Sequence, residues 1–304
     1  MTDENPWDAE WAVSESLAER LIHGQFPQLS GEPVRILGHG WDNTVFLVGK
    51  KYVFRFPRRS IAVALLETEG RMLPKLAKTV SVPYSKPLFF GEGTSEYPHP
   101  FLGYDYLPGS YPVGLTDDQR TRSARTLGTF LKDLHAFPLH TARENGVRRD
   151  HRNLTNLASR KEKMTGYLAG LNGRIREEDY RLIANYLEGL AADRVQPKEV
   201  FLHGDLHFKN MLVDDRGQIT GVIDWGDINI GHPACDLNIA YCFLPPAART
   251  AFFQAYGEID EETKLLARLI AVFIPMMILL QAIDDQDEII AEEAIQNIRR
   301  ALAD

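Results

Sequence analysis

Residues 199–225, EVFLHGDLHFKNMLVDDRGQITGVIDW, form a β-rich island in a C-terminal half that otherwise reads as helical. Three short apolar runs, VFL, MLVD and GVI, are punctuated by three polar side chains. Asp205 and Asn210 bracket the loop DLHFKN, and Asp224 closes the third run. A turn at Asp214-Asp215-Arg216-Gly217 would fold the last two runs into a hairpin and bring Asn210 close to Asp224. An amide oxygen and a carboxylate, with phosphate oxygens completing the shell, suit Mg²⁺, which takes few protein ligands. Asp205, five residues before Asn210, then stands where a base accepts a hydroxyl proton. Singly, each of these residues reads as a turn cap or a strand start; together they read as a site.

The pattern His203-Gly204-Asp205, Asn210 five residues on, and the Asp of I-D-W fourteen residues after the Asn resembles the aminoglycoside phosphotransferase/choline kinase-like family. That family is a branch of the protein-kinase-like fold, in which one Asp is the base and an Asn and a second Asp hold metal. The resemblance implies an α+β, two-lobed chain, with a small β-rich N-lobe over residues 1–107 and a larger, mostly helical C-lobe over 108–304. It also implies ATP or GTP as co-substrate, Mg²⁺ on Asn210 and Asp224, and Asp205 as the catalytic residue.

The N-terminal part tests the resemblance independently. Leu37 to Thr44, LGHGWDNT, lies between two β runs and resembles the family's nucleotide loop. Gly38 and Gly40 would let backbone N–H groups approach phosphates, with Asn43 beside them, although an ordinary hairpin loop reads the same way. Arg55 in YVFRF sits on a strand face where apolar side chains are expected. Glu69 lies on the stripe of Leu65, Met72, Leu73 and Leu76 along the next helix. Either charge buried alone is costly, so the two are expected to pair, matching the strand-cation/helix-Glu pair of kinase-like enzymes, with Arg in place of the commoner Lys.

Phe101 to Gly109, FLGYDYLPG, resembles the interlobe hinge, with backbone groups near Asp105 and Leu107 meeting the nucleotide base and Leu212 and Ile223 packing under it. His207 is a candidate phosphate contact and Asp227 a candidate acceptor contact. His203 is expected to orient the catalytic loop and Asp236 to brace it from below, while His135 reads as structural.

Elsewhere the periodicity predicts a helix after Asn5-Pro6 that buries Trp11, Ala18, Leu21 and Ile22. It predicts another over about 61–77, kinked at Pro74, and further helices over about 117–136, 157–171, 176–192, 233–243, 247–257 and 261–283, with a last one to Leu302. Strand-like runs lie at Val34–Phe56, Lys86–Phe90 and Phe101–Tyr106.

With 304 residues, 44% apolar and 25% charged, the chain has the make-up of a globular enzyme rather than a disordered or fibrous one. A net charge of −8 without any block of basic residues gives no electrostatic footprint for nucleic acid. Asp284, Asp285, Asp287 and Glu288 could attract a cationic substrate, but a solvated helix start explains them as well. Two cysteines, Cys235 and Cys242, fit a reducing compartment, and the acidic N-terminus lacks a signal-peptide apolar run, so a cytoplasmic place is expected. The apolar stretch Leu269–Ile283 carries Pro275 and Gln281 and reads as a core helix, so no membrane partner is expected.

The function expected is phosphorylation of a small hydroxylated molecule, an aminoglycoside first and a macrolide or other metabolite second, by a monomer or weak dimer. Two rivals stand beside it. His203, Asp205 and His207, spaced two apart on one strand face, would suit a metallohydrolase. A non-catalytic nucleotide-binding module would use the same loop without turnover.

Overall fold

Alternating apolar residues in NTVFLV and YVFRFP build the centre of a five-stranded antiparallel sheet. In the computed structural model, which describes residues 9–40, 42–190 and 195–304, it is made of β1 (Val34–His39), β2 (Asn43–Val48), β3 (Tyr52–Pro57), β4 (Pro87–Gly91) and β5 (Phe101–Asp105). The spatial order is β1-β2-β3-β5-β4. Period-two alternation gives the sheet two distinct faces. Phe46, Phe54, Phe56 and Phe101 are fully buried in one cluster with α1 (Glu15–Gln25), and the Phe56 and Phe101 rings stack 4.3 Å apart. Arg55 lies beyond that cluster, on the strand face it shares with Val53.

The N-terminal helix starts later than the sequence predicts. Asn5 and Pro6 lie outside the described residues, and Ser14 is the cap, accepting from the Leu17 N–H at 3.2 Å. Trp11 therefore precedes the helix, half-buried, with its indole N–H on the Pro57 carbonyl. α2 (Ser60–Met72) stops before Pro74, and Leu73–Lys78 continues as a 3₁₀ turn, since proline lacks the N–H that the next α-turn requires.

After the hinge the chain is mostly helical: α3 (Asp117–Thr121), α4 (Ala124–His135), α5 (Leu139–Glu144), α6 (Leu157–Leu171) and α7 (Glu177–Gly189). The helix predicted over 117–136 is thus two. Ser123, at the break, spends its hydroxyl on the Gly217 carbonyl and the Ile219 N–H instead of continuing a solvent face. The island follows as β6 (Val200–Leu202), β7 (Met211–Val213), β8 (Ile219–Val222) and β9 (Asn229–Gly231). β7 and β8 form the predicted hairpin, while β6 pairs with β9, a three-residue strand that the turn-like NIG does not announce.

The predicted 233–243 helix is split at Asn238 into α8 (Ala234–Leu237) and α9 (Ile239–Cys242), because the Asn238 amide bonds to Leu206 and Cys235 carbonyls. α10 (Pro246–Tyr256), α11 (Glu261–Asp284) and α12 (Glu288–Ala301) complete the fold. α11 is long and apolar enough to cross a membrane by length and composition alone, but 72% of its apolar window is buried inside the fold, against α6, α8, α9 and α12. Pro275 sits within it, and Cys235 and Cys242 are buried free thiols of the same large core. That core also takes in Met72, Leu73, Leu76 and Val82 from the N-terminal part.

Candidate active site

β6 is apolar and ends at Leu202, and after His203 the chain must turn sharply. Gly204 makes the turn with φ +88, and a Cβ there would lie 2.2 Å from the Asp227 carbonyl oxygen, so only glycine fits. The fully buried Asp236 of α8 then takes both main-chain N–H groups of the turn, His203 at 2.8 Å and Gly204 at 2.9 Å. His135 donates to the same carboxylate and accepts from the Tyr256 hydroxyl. Burial works against a charge on Asp236, but the His135 hydrogen bond and the main-chain donors hold its pKa below the ordinary value.

The His203 ring accepts from the Asp205 N–H and donates to the Ile223 carbonyl at 3.0 Å, tying the loop to the end of β8. Asp205 follows, its side chain a quarter exposed. Burial would raise its pKa, but His207, 3.3 Å away, and then Arg152 outweigh that and lower it, so it stays a carboxylate.

Asn210 spends its amide nitrogen on the Asp205 carbonyl at 2.8 Å, which leaves its amide oxygen as the group able to meet a cation. Its carbonyl accepts from the Ile223 N–H, so the hairpin does carry Asn210 to the residue before Asp224. Asp224 adopts the left-handed conformation (φ +59), its side chain is 56% exposed, and its neighbour Trp225 anchors the turn by full burial. One amide oxygen and one open carboxylate fit the donor set Mg²⁺ prefers, with room for phosphate oxygens.

Arg55 and Glu69 do pair. One Arg55 nitrogen donates to both Glu69 oxygens at 3.0–3.1 Å, and Glu69 has no exposed surface. Tyr104, opposite Val53 across β3–β5, faces the same helix and donates its hydroxyl to Glu69 at 2.9 Å. The other Arg55 nitrogen reaches Asp224 at 2.9 Å, across 169 residues of sequence. Burial opposes the Arg55 charge, yet Glu69 and Asp224 more than offset it, and its pKa is raised. Tyr104 was not singled out from sequence, although the alternation in FLGYDY puts it on the Arg55 face.

Gly38 and Gly40 lie in the β1–β2 hairpin, Gly38 beside a β-bulge. A Cβ on Gly38 would meet nothing within 4 Å and one on Gly40 only ordinary contact, so the fold itself does not need these glycines. The bare backbone they leave is the kind of cradle that phosphates enter. Asn43 is buried, and among the described residues its Oδ1 has no partner. At the hinge, Asp105 is exposed, Tyr106 N–H bonds to Lys51, and Ser110 is stitched to Val213. Leu107 and Leu212 both abut Gly221, and a cavity of about 440 Å³ opens against Val82, Tyr84, Asp105 and Leu107. Neither Leu212 nor Ile223 lines that cavity; Ile223 is half-buried and locked by its two main-chain bonds.

His207 accepts from the Lys209 N–H through Nδ1, leaving Nε2 for Asp205. With both His203 nitrogens engaged as well, the His203/Asp205/His207 set has no free arrangement for a metal. Among the described residues no group of three or more His, Cys, Asp or Glu side chains is placed to hold one. Asp227 is 36% exposed and faces Arg152, and its pKa is raised by burial, with Asp205 and Asp224 adding to it.

Arg152 is a second residue that sequence reasoning missed. It lies in an irregular loop before α6, and nothing in the string RRDHRN says that the loop runs beside β9. Main-chain bonds between Ile230 and both Arg148 and Asp150 put it there.

A model described as the phosphotransferase enzyme family matches residues 33–268. Among curated proteins, the uncharacterized protein YcbJ of Bacillus subtilis (strain 168) is 25% identical over 201 residues, which is 62% of this chain and 61% of that protein. Among solved structures, the GDP complex of wild-type aminoglycoside 2'-phosphotransferase-IIIa covers 96% of this chain and 99% of its own, with 24% identity and a TM-score of 0.67. The GDP and kanamycin complex of APH(2")-IIIa has 26% identity and a TM-score of 0.65, covering 94% of this chain and 98% of its own.

Proposed function

The chain belongs to the phosphotransferase enzyme family, and on that premise we propose that it transfers the terminal phosphoryl group of ATP or GTP to a hydroxyl of a small molecule. One observation carries the reading: Asp205, Asn210 and Asp224 converge on one loop and hairpin, with Arg55 reaching Asp224 from the other lobe. Asp205 orients the acceptor hydroxyl and takes its proton as the new P–O bond forms, while the old P–O bond breaks toward the departing nucleoside diphosphate. Asn210 and Asp224 would hold Mg²⁺, which supplies charge neutralisation at the phosphates. Arg55, fixed by Glu69, steadies the phosphates, and Gly38, Gly40 and Asn43 cover them. Phosphoryl transfer asks mainly for positioning and charge compensation, which these residue types provide.

The base rests at the hinge, near Asp105 and Leu107, over Leu212 and Ile223, while His207 and Asp227 face the transfer. We take residues 1–107 and 108–304 as the two lobes, acting in the cytoplasm as a monomer or weak dimer without nucleic acid or membrane. Aminoglycosides and macrolides are the first acceptors to screen, and phosphorylating either would confer resistance. The test follows nucleoside diphosphate release with ATP and GTP in parallel across an acceptor panel, in wild type and Asp205→Ala. Acceptor-dependent release that falls by about 10²–10⁴ in the variant supports the assignment. Near-wild-type turnover in the variant would overturn it.

A further inference from the structure

We infer that His207 is the positioning residue of the base: its Nε2–H holds one carboxylate oxygen of Asp205 and so turns the other toward the acceptor hydroxyl. This rests on the phosphotransferase reading of Asp205, and it gives the histidine a different task from the phosphate contact expected from sequence.

The local fold sets the ring. His207 caps the 3₁₀ turn Phe208–Asn210, with Nδ1 accepting from the Lys209 N–H at 3.2 Å. Ser, Thr, Asp or Asn usually fill such a place with one side-chain oxygen. An imidazole fills it with one nitrogen and keeps a second on the far edge of the ring. A nitrogen that takes an N–H into its lone pair carries no hydrogen, so the ring hydrogen is assigned to Nε2. Two groups stand 3.3 Å from Nε2, Asp205 Oδ2 and the Asn210 amide nitrogen. That amide nitrogen is itself a donor, bonded to the Asp205 carbonyl at 2.8 Å, so the carboxylate is the one able to accept. Only 13% of the His207 side chain is exposed, which limits where else the ring can swing.

The two Asp205 oxygens are therefore unlike. Oδ2 faces Nε2 at 3.3 Å and the Asn210 amide nitrogen at 3.4 Å. Among the described residues Oδ1 has one partner, Arg152 at 3.5 Å, long for a charge-assisted bond. Oδ1 is then the oxygen left to take the acceptor's proton, and a carboxylate fixed about its own axis presents it in one orientation. With both ring nitrogens engaged, His207 has none left for a phosphate oxygen.

Asn and Gln separate the two jobs of the ring, because Asn offers an acceptor where Nδ1 lies and Gln reaches a donor to where Nε2 lies. Turnover by nucleoside diphosphate release, nucleotide affinity by calorimetry and thermal melts are measured for wild type, His207→Asn and His207→Gln on the aminoglycoside and macrolide panel. His207→Asn, which keeps the cap, should melt like wild type but lose about 10- to 100-fold in kcat, the size of one hydrogen bond to a charged group, with nucleotide KM and Kd within about twofold. His207→Gln, which keeps the donor, should hold more of kcat than His207→Asn despite a lower melt. A raised nucleotide KM with kcat spared would make His207 a phosphate contact, and wild-type kcat in His207→Asn would make it a cap alone; either overturns the inference. A nitrogen–proton correlation spectrum of the ring in the full chain tests the geometry without turnover. Hydrogen on Nε2, with its signal moved in Asp205→Asn, is expected, and hydrogen on Nδ1 would overturn the inference. A wild type that shows the Nε2–H contact but releases no diphosphate with any acceptor would leave the contact standing and sink the phosphotransferase reading.

Discussion

Arg55 does two jobs with two nitrogens, and that is where it differs from a lysine. One nitrogen holds the buried Glu69 and the other holds Asp224. A lysine is a point charge on a flexible stem and has no rigid fork to span both. Arg55→Lys should therefore keep the Glu69 contact and lose the second nitrogen, which the proposed function puts on the phosphates once a cation takes Asp224. The expected result is a KM for nucleotide raised roughly tenfold, about 1.4 kcal/mol, within the range of one hydrogen bond to a charged group, with the KM for acceptor little changed. Steady-state kinetics varying each substrate in turn would check it, and equal effects on both would count against the assignment. The pairing itself was legible because two charges fell on apolar faces, and burial demands partners for both. Tyr104 was hidden for the opposite reason, since a tyrosine on a strand needs no explanation until a carboxylate is found in front of it.

The loop that carries Asp205 is held at the scale of elements, by a helix from one part of the chain and a carboxylate from another. Asp236 takes two main-chain N–H groups and a histidine ring, all with next to no exposure. Asp236→Asn turns one acceptor oxygen into a donor, so at least one buried N–H loses its partner. Breaking a buried charged network of this kind costs about 3–5 kcal/mol. The expected outcome is a markedly lower urea midpoint together with lost turnover, and an unchanged midpoint would show that the brace is dispensable. The island's hairpin could be read from its turn residues and the spacing of its apolar runs. β9 and the split of the 117–136 helix could not, because a three-residue strand and a Ser123 hydroxyl serving another segment leave no periodic trace. Arg152 belongs to the same class: its place depends on a loop lying along β9, a long-range fact with no local pattern.

Across the whole molecule, one buried histidine gives stability a pH dependence. His232 is 4% exposed, and burial, with Lys198 nearby, lowers its pKa from 6.5 to about 4. The unfolded chain takes up this proton first, so acidification favours unfolding between pH 6.5 and about 4, and stability rises with pH across that window. Urea melts at pH 7 and pH 4.5 should show a smaller difference for His232→Gln than for wild type. An identical difference would mean that other groups set the slope. The two-lobed plan was readable from a change in character, short β runs before the hinge and long helical periods after it. The packing of Met72 to Val82 into the larger core was not, because apolar residues at a helix end do not say which layer they join.

The Arg55–Asp224 contact has one more consequence. In the free chain Asp224 already has a counter-ion, supplied by the protein from the opposite lobe. A cation that takes the Asp224 oxygen now held by Arg55 does so by ion exchange, releasing a guanidinium that needs an anion of its own. Phosphate provides one. On the proposed reading, loading of metal and nucleotide would then be one exchange reaction rather than two independent equilibria, with the affinity for either alone held down by the pair that both must open.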